Sequence, residues 1–177
     1  MVGGLKFQIT GNGIDQTVTT GEDGTIKVEN LQPGTYTVTE LTENRYEPQK
    51  AKTVEVKGGE TATVDFSNLL KRGDLKVTKT SADGLVEGMK FHLYGTSLSG
   101  IPVDEYAVTD STGVATFSNI LISGDTPYTL EDVEPADRYV VPAAQHVTVN
   151  GKQLTMATLH NRLQKFRATV TSQERET

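Results

Sequence analysis

Cysteine and tryptophan are both absent from this 177-residue chain, and each absence removes a class of protein. Without cysteine there is no disulfide framework, so a small, loop-rich domain working outside the cell needs some other staple. Without tryptophan, and with aromatics at only 6%, the stacked rings that hold sugars are in short supply. No apolar run is long enough to cross a bilayer, and no hydrophobic signal segment follows Met1. The expectation is a cytosolic protein or a piece of a larger one, without membrane contact in this stretch. The net charge of −6 is spread along the chain with no basic stripe, which excludes nucleic acid as a natural partner. His92, His146 and His160 share no metal-ligand spacing, the acidic residues of Glu22-Asp23 and Asp110 sit in turns, and no calcium-loop spacing occurs. No metal or other cofactor is expected, and the scattered Ser and Thr residues form no triad.

What is present is short alternation. Runs of alternate apolar residues predict strands at Lys6–Thr10, Thr25–Glu29, Tyr36–Leu41, Thr53–Val56 and Thr61–Phe66 in the first half. The second half adds Asp74–Lys79, Lys90–Tyr94, Glu105–Val108, Val114–Phe117, Tyr128–Val133, His146–Val149 and Met156–Leu159. Gly21-Glu22-Asp23-Gly24, Gln32-Pro33-Gly34, Lys57-Gly58-Gly59 and Asn150-Gly151 punctuate them as turns. No long stretch has helical periodicity, and an all-β sandwich is the fold class that follows.

The strands come as an internal repeat. Gly4–Gly11 matches Gly88–Gly95, Gly24–Leu31 matches Gly113–Ile120, Tyr36–Glu40 matches Tyr128–Asp132, and Phe66-Ser67-Asn68 matches Leu159-His160-Asn161. Two tandem domains follow, at 1–72 and 73–164. The repeat is out of phase with the chain: the strand Asp74–Lys79 has no counterpart ahead of Gly4, so the first domain lacks its N-terminal strand. Residues 165–177 hold an orphan strand, Phe166–Ser172, like the start of a third repeat. Counting sets its register, since Lys79 lies eleven residues after Asn68 and Ser172 lies eleven after Asn161.

Three polar residues close apolar runs at inward parity. Lys79 follows Leu75 and Val77, Asp132 follows Tyr128 and Leu130, and Asn161 follows Ala157 and Leu159. Side chains alternate across a strand, so an amine, a carboxylate and a carboxamide point into one core. Buried singly they are costly; together they are the reagents of a Lys–Asn amide with an acid to move protons. A lysine snorkelling to solvent, or an unreacted Lys79–Asp132 ion pair, are the plainer readings of the same residues.

In these motifs (Gly73–Lys79, Gly88-Met89-Lys90-Phe91, Thr109–Gly113, Tyr128–Asp132 and Asn161, with Gly34–Glu40 and Phe66–Asn68 in the first half) the chain resembles the Cna-B, or SpaA-type, domains of Gram-positive pilins and surface adhesins. The resemblance implies immunoglobulin-like β-sandwiches in which a first-strand lysine bonds to a last-strand asparagine under an acidic catalyst. It assigns Lys79 as nucleophile, Asn161 as electrophile and Asp132 as catalyst, where the family prefers Glu. Glu40 and Asn68 take the matching positions of the first domain, an idle acid and an unpaired electrophile, because no amine strand precedes them. Lys6 matches Lys90, on a different strand, and does not take the role. The implied function is a structural stalk or shaft module on the cell wall, self-processing once and not a turnover enzyme. Its partners would be neighbouring domains of the same surface protein, with head-to-tail strand donation by residues 166–172. The alternative is a β-sandwich that binds a host protein or glycan.

Overall fold

The computed structural model describes residues 3–41 and 43–174 and is built from strands, with no helix among them. It divides into two compact units, Met1–Lys71 and Arg72–Thr177.

The first unit contributes β1 (Lys6–Gly11), β2 (Ile14–Thr19), β3 (Gly34–Glu40) and β4 (Lys52–Val56), joined in one antiparallel sheet of order β2-β1-β3-β4. β1 turns into β2 through Asn12-Gly13, both at positive φ, with Gly11 paired to Ile14. This is the two-residue hairpin that Asn-Gly favours. One face of the sheet carries the core of Leu5, Phe7, Ile9, Tyr36 and Val38.

The second unit has two sheets. β6 (Lys90–Thr96), β7 (Pro102–Val108), β9 (Tyr128–Val133) and β11 (Gln145–Val147) form one, in the order β11-β9-β6-β7. This sheet repeats that of the first unit strand for strand. β5 (Arg72–Ser81), β8 (Val114–Leu121), β10 (Tyr139–Val140) and β12 (Leu154–Leu163) form the other, ordered β10-β12-β5-β8. β5 is therefore a central strand, antiparallel to β8 and parallel to β12. Leu75, Val77, Phe91, Leu93, Ala115, Phe117, Tyr128, Leu130, Val149 and Leu159 are buried in this unit.

The repeat extends to small details. Gly95 has φ +152°, and a Cβ there would lie 2.9 Å from the Tyr128 ring; Gly11 has φ +145° and the same 2.9 Å clearance to Tyr36. Glycine is required at both places because a side chain would meet the ring and strain the backbone. The Tyr128 hydroxyl donates to the Leu121 carbonyl at 2.6 Å, and Tyr36 to that of Gln32 at 2.7 Å.

Two strands expected in the first unit do not form. Thr25–Glu29 and Thr61–Phe66 keep strand-like facing, with Ile26, Val28, Val64 and Phe66 half-buried between exposed neighbours, but neither joins a ladder. The reason is topological. Their counterparts in the second unit are β8 and β12, and both pair with β5; among the described residues the first unit has no strand in that position, so two flanking segments lack their shared partner. Phe166–Ser172 likewise forms no strand and is exposed throughout.

Candidate functional site

β5 delivers an inward row of Gly73, Leu75, Val77 and Lys79, all buried, with solvent-facing or half-buried residues between them. The fourth member of that row is an amine, 1% exposed. Lys79 Nζ donates to Asp132 Oδ2 in an ion pair whose side chains are 0% and 2% exposed. β9 brings the carboxylate there by the same alternation, after Tyr128 and Leu130. Phe91, paired with Asp132 across β6 and β9, forms the floor: its ring centroid lies 5.3 Å from Nζ. The phenyl ring excludes water while offering the amine its electron-rich face.

Asn161 completes the group. In the parallel ladder Lys79 stands opposite Leu159, and Asn161, opposite Ser81, is the next inward residue of β12. It is 0% exposed, and neither Nδ2 nor Oδ1 has a hydrogen-bond partner. A buried carboxamide without partners costs about 1–3 kcal/mol for each unsatisfied group, an expense that folded proteins rarely keep without a use. The structure thus places Lys79, Asp132 and Asn161 in one core. Glu131 faces the opposite side and accepts from the Tyr94 hydroxyl at 2.6 Å.

The acid and the amide of the first unit also meet. With its amide nitrogen turned toward the carboxylate, Asn68 donates to Glu40 Oε1 at 2.8 Å, and Gln49 Nε2 donates to Oε2 at 3.1 Å. Partial burial, with the nearby Glu43 charge adding to it, holds the Glu40 carboxyl above its ordinary range. Among the described residues no lysine is recorded in contact with this group, and Lys6 lies exposed at the start of β1. Asn68 lies at the edge of an open cleft of about 570 Å³ lined by Phe7, Ile26, Val28, Val64 and Phe66.

Sequence reasoning passed over Phe91 and Gln49. Phe91 was readable as an inward residue of its strand, but its place beneath the amine depends on cross-strand register. Gln49 lies outside any strand and carried no signal. Asp83 was also missed: it accepts from Arg138 Nε, the Tyr139 hydroxyl and the Ser81 hydroxyl, holding β10 against the end of β5. These bonds keep its carboxyl well below the usual range, the Ser81 hydroxyl first among them.

Comparison with known proteins places the fold. Residues 1–69 and 73–162 match the model of the SpaA family, described as a prealbumin-like fold domain. Among curated proteins none matches. Of solved structures, the Bacillus anthracis TIE protein superposes with a TM-score of 0.76 at 24% identity, over 92% of this chain. The chain spans only 31% of that protein's length. The minor pilin GBS52 of Streptococcus agalactiae aligns at 17% identity and a TM-score of 0.47, over 97% of this chain and 87% of its own. The shaft pilin spaA of Lactobacillus rhamnosus GG aligns at 11% identity and 0.42, over 94% and 90%. With both halves matched by one family model and a shared all-β architecture, the chain belongs to the SpaA family of prealbumin-like fold domains.

Proposed function

We propose that this chain is a structural module of a Gram-positive cell-surface stalk or pilus, lying outside the cell among neighbouring domains of the same surface protein, and that its second unit locks itself with a Lys79–Asn161 amide. The observation that carries the proposal is the buried amine on Asp132 beside a buried carboxamide with no partner of its own. Passage of one proton from Nζ to the Asp132 carboxylate within the pair gives a neutral amine and a neutral acid, and only the neutral amine has the lone pair that attacks. Nζ adds to Cγ of Asn161 while the Asp132 carboxyl donates to the carboxamide oxygen. As the tetrahedral centre collapses, Asp132 relays the amine proton to Nδ2, which leaves as ammonia. The products are one secondary amide and one ammonia, the acid is regenerated, and the reaction runs once per molecule. The outcome also removes the two awkward polar groups from the core.

Intact mass spectrometry tests the reading. The unaltered protein should weigh one ammonia less than its sequence, and Lys79→Ala or Asp132→Asn should restore the sequence mass for those variants. A full sequence mass in the unaltered protein would overturn the amide.

A second reading, a ligand-binding sandwich, has one observation in its favour. On the outer face of β6 and β7, His92 stacks on Tyr106 at 4.3 Å, Tyr94 lies 4.6 Å from His92, and Lys90 Nζ sits 4.7 Å from the Tyr106 ring centre. Asp104 binds His92 beside them. Such a cluster is the kind of surface a glycan or peptide can stack on.

A further inference from the structure

Asn161 stands on the last rung of its ladder with β5, the pair it makes with Ser81, and the ends of ladders are where strands fray first. Just past that rung the Ala82 N–H donates to the Asn161 carbonyl at 3.1 Å. The carboxamide has no hydrogen bond of its own. Its position is therefore set by the backbone that carries it, and that backbone needs an anchor.

A polar cluster outside the reacting group supplies one. Asp83, two residues past β5, accepts from the Ser81 hydroxyl at 2.6 Å, from Arg138 Nε and the Tyr139 hydroxyl at 2.8 Å, and from the Leu85 N–H at 3.1 Å. Arg138 Nη2 also donates to the Tyr139 hydroxyl at 2.7 Å, and its guanidinium lies 4.4 Å from the centre of that ring. On the other side, Tyr139 stands opposite Leu163 and Val140 opposite Arg162. Gln164 adds two bonds, its N–H to the Arg138 carbonyl at 2.8 Å and its Nε2 to the Tyr139 carbonyl at 2.9 Å.

β12 lies between β10 and β5 in this sheet. Tyr139 is 1% exposed and Val140 48%, so the tyrosine is the inward member of β10. A phenol that starts on one flank of β12 and bonds a carboxylate on the other must cross the strand. At about 4.8 Å per strand spacing, the two side chains bridge roughly 10 Å. The crossing falls just beyond Asn161.

We propose that Asp83 and Tyr139 are positioning residues for the Lys79–Asn161 amide, clamping the last rung so that the carboxamide is held against the amine. The inference rests on the amide reading above. Attack by an amine needs the reacting atoms about 3–3.5 Å apart, and a displacement of roughly 1 Å can slow such a step about a hundredfold. The hydroxyl of Ser81 and the guanidinium of Arg138 hold the Asp83 carboxyl well below the usual carboxylate range. The clamp thus keeps its charge through mildly acidic and alkaline pH.

The test is the rate of ammonia loss, followed by intact mass after cell-free synthesis of the full chain. Exchange of the β6 and β9 amides identifies the variants whose second unit is folded. Asp83→Ala should slow the loss roughly tenfold to a hundredfold, and Asp83→Asn, which keeps an acceptor oxygen without the charge, should fall between. Tyr139→Phe keeps the buried ring and removes only the hydroxyl, so it serves where the alanine variant does not fold; it too should be slower than the unaltered protein. The pH dependence of the rate should keep its shape in each variant, because Lys79 and Asp132 still exchange the proton. A shifted profile would overturn positioning in favour of a direct electrostatic effect. A clamp that only stabilised the fold would lower the melting temperature and leave the rate untouched. Folded Asp83→Ala or Tyr139→Phe protein that loses ammonia at the unaltered rate would thus overturn the inference and leave the amide standing. An unaltered protein of full sequence mass would remove both.

Discussion

Replacing Lys79 and Asp132 together with apolar residues separates a covalent lock from an ordinary buried ion pair. In Lys79→Met/Asp132→Leu the methionine nearly matches the lysine in volume, the leucine keeps the branching of the carboxylate, and no charge is left alone in the core. If the two groups were only an ion pair, such an exchange would be neutral or stabilising by up to a few kcal/mol, since two desolvated charges return to water on unfolding. If Lys79 is bonded to Asn161, the exchange opens a covalent loop running from residue 79 to residue 161. The chain-entropy relation used for cross-links assigns that loop about 4.5 kcal/mol. For a unit of this size that is a fall of roughly 20–30 °C in the melting temperature. The two accounts therefore differ in sign. Scanning calorimetry of the full chain, with the transition of the second unit identified by exchange of its β5 and β12 amides, reads the difference. A double variant that melts at or above the unaltered protein would refute the covalent account, whatever the geometry of the site.

Two further outcomes follow from the first unit and the outer face of the second. Glu40 has its carboxyl raised by burial, so the folded state holds its proton more tightly than the unfolded chain. Its stabilising contribution is complete below the ordinary Glu range near 4.5 and is lost as pH rises through the raised value. Exchange of β1 and β3 amides should accordingly slow between pH 7 and pH 4 after correction for intrinsic rates, and Glu40→Gln should flatten that trend; a variant with the same slope would show that another group is responsible. Titration with oligosaccharides should leave the ring signals of Tyr94 and Tyr106 unmoved. A saturable shift abolished by Tyr106→Ala would establish the ligand-binding reading instead of the structural one.

Much of the second unit's inner row was legible because parity needs no partner: Leu75, Val77 and Lys79 declare one face of a strand wherever that strand pairs. The repeat was legible for a related reason, since Gly95 before the Tyr128 ring and Gly11 before the Tyr36 ring are steric requirements written as single residues. β2 was missed because Asp15, Gln16 and Thr17 between Ile14 and Val18 are all exposed, which leaves almost no alternation to find; its signal was the Asn12-Gly13 turn. Thr25–Glu29 and Thr61–Phe66 failed in the opposite way. Their alternation encodes which side chains turn inward, and it did so correctly, but hydrogen bonding depends on a neighbour that local sequence cannot supply. The proximity of Asn161 to Lys79 belongs to the same class: it follows from a parallel register between strands some eighty positions apart.

That parallel register has a mechanical consequence. In the stalk proposed above, tension would enter the second unit at Arg72 on β5 and leave it at Leu163 on β12. Because the two strands run the same way, those points lie at opposite ends of an eight-pair ladder. Tension loads all of its hydrogen bonds in shear, where an antiparallel hairpin would open one rung at a time. With Lys79 joined to Asn161, the load would travel down β5, cross the amide and leave along the last residues of β12. Residues 80–160, with the sheet that carries the aromatic outer face, would then hang beside the load path as slack.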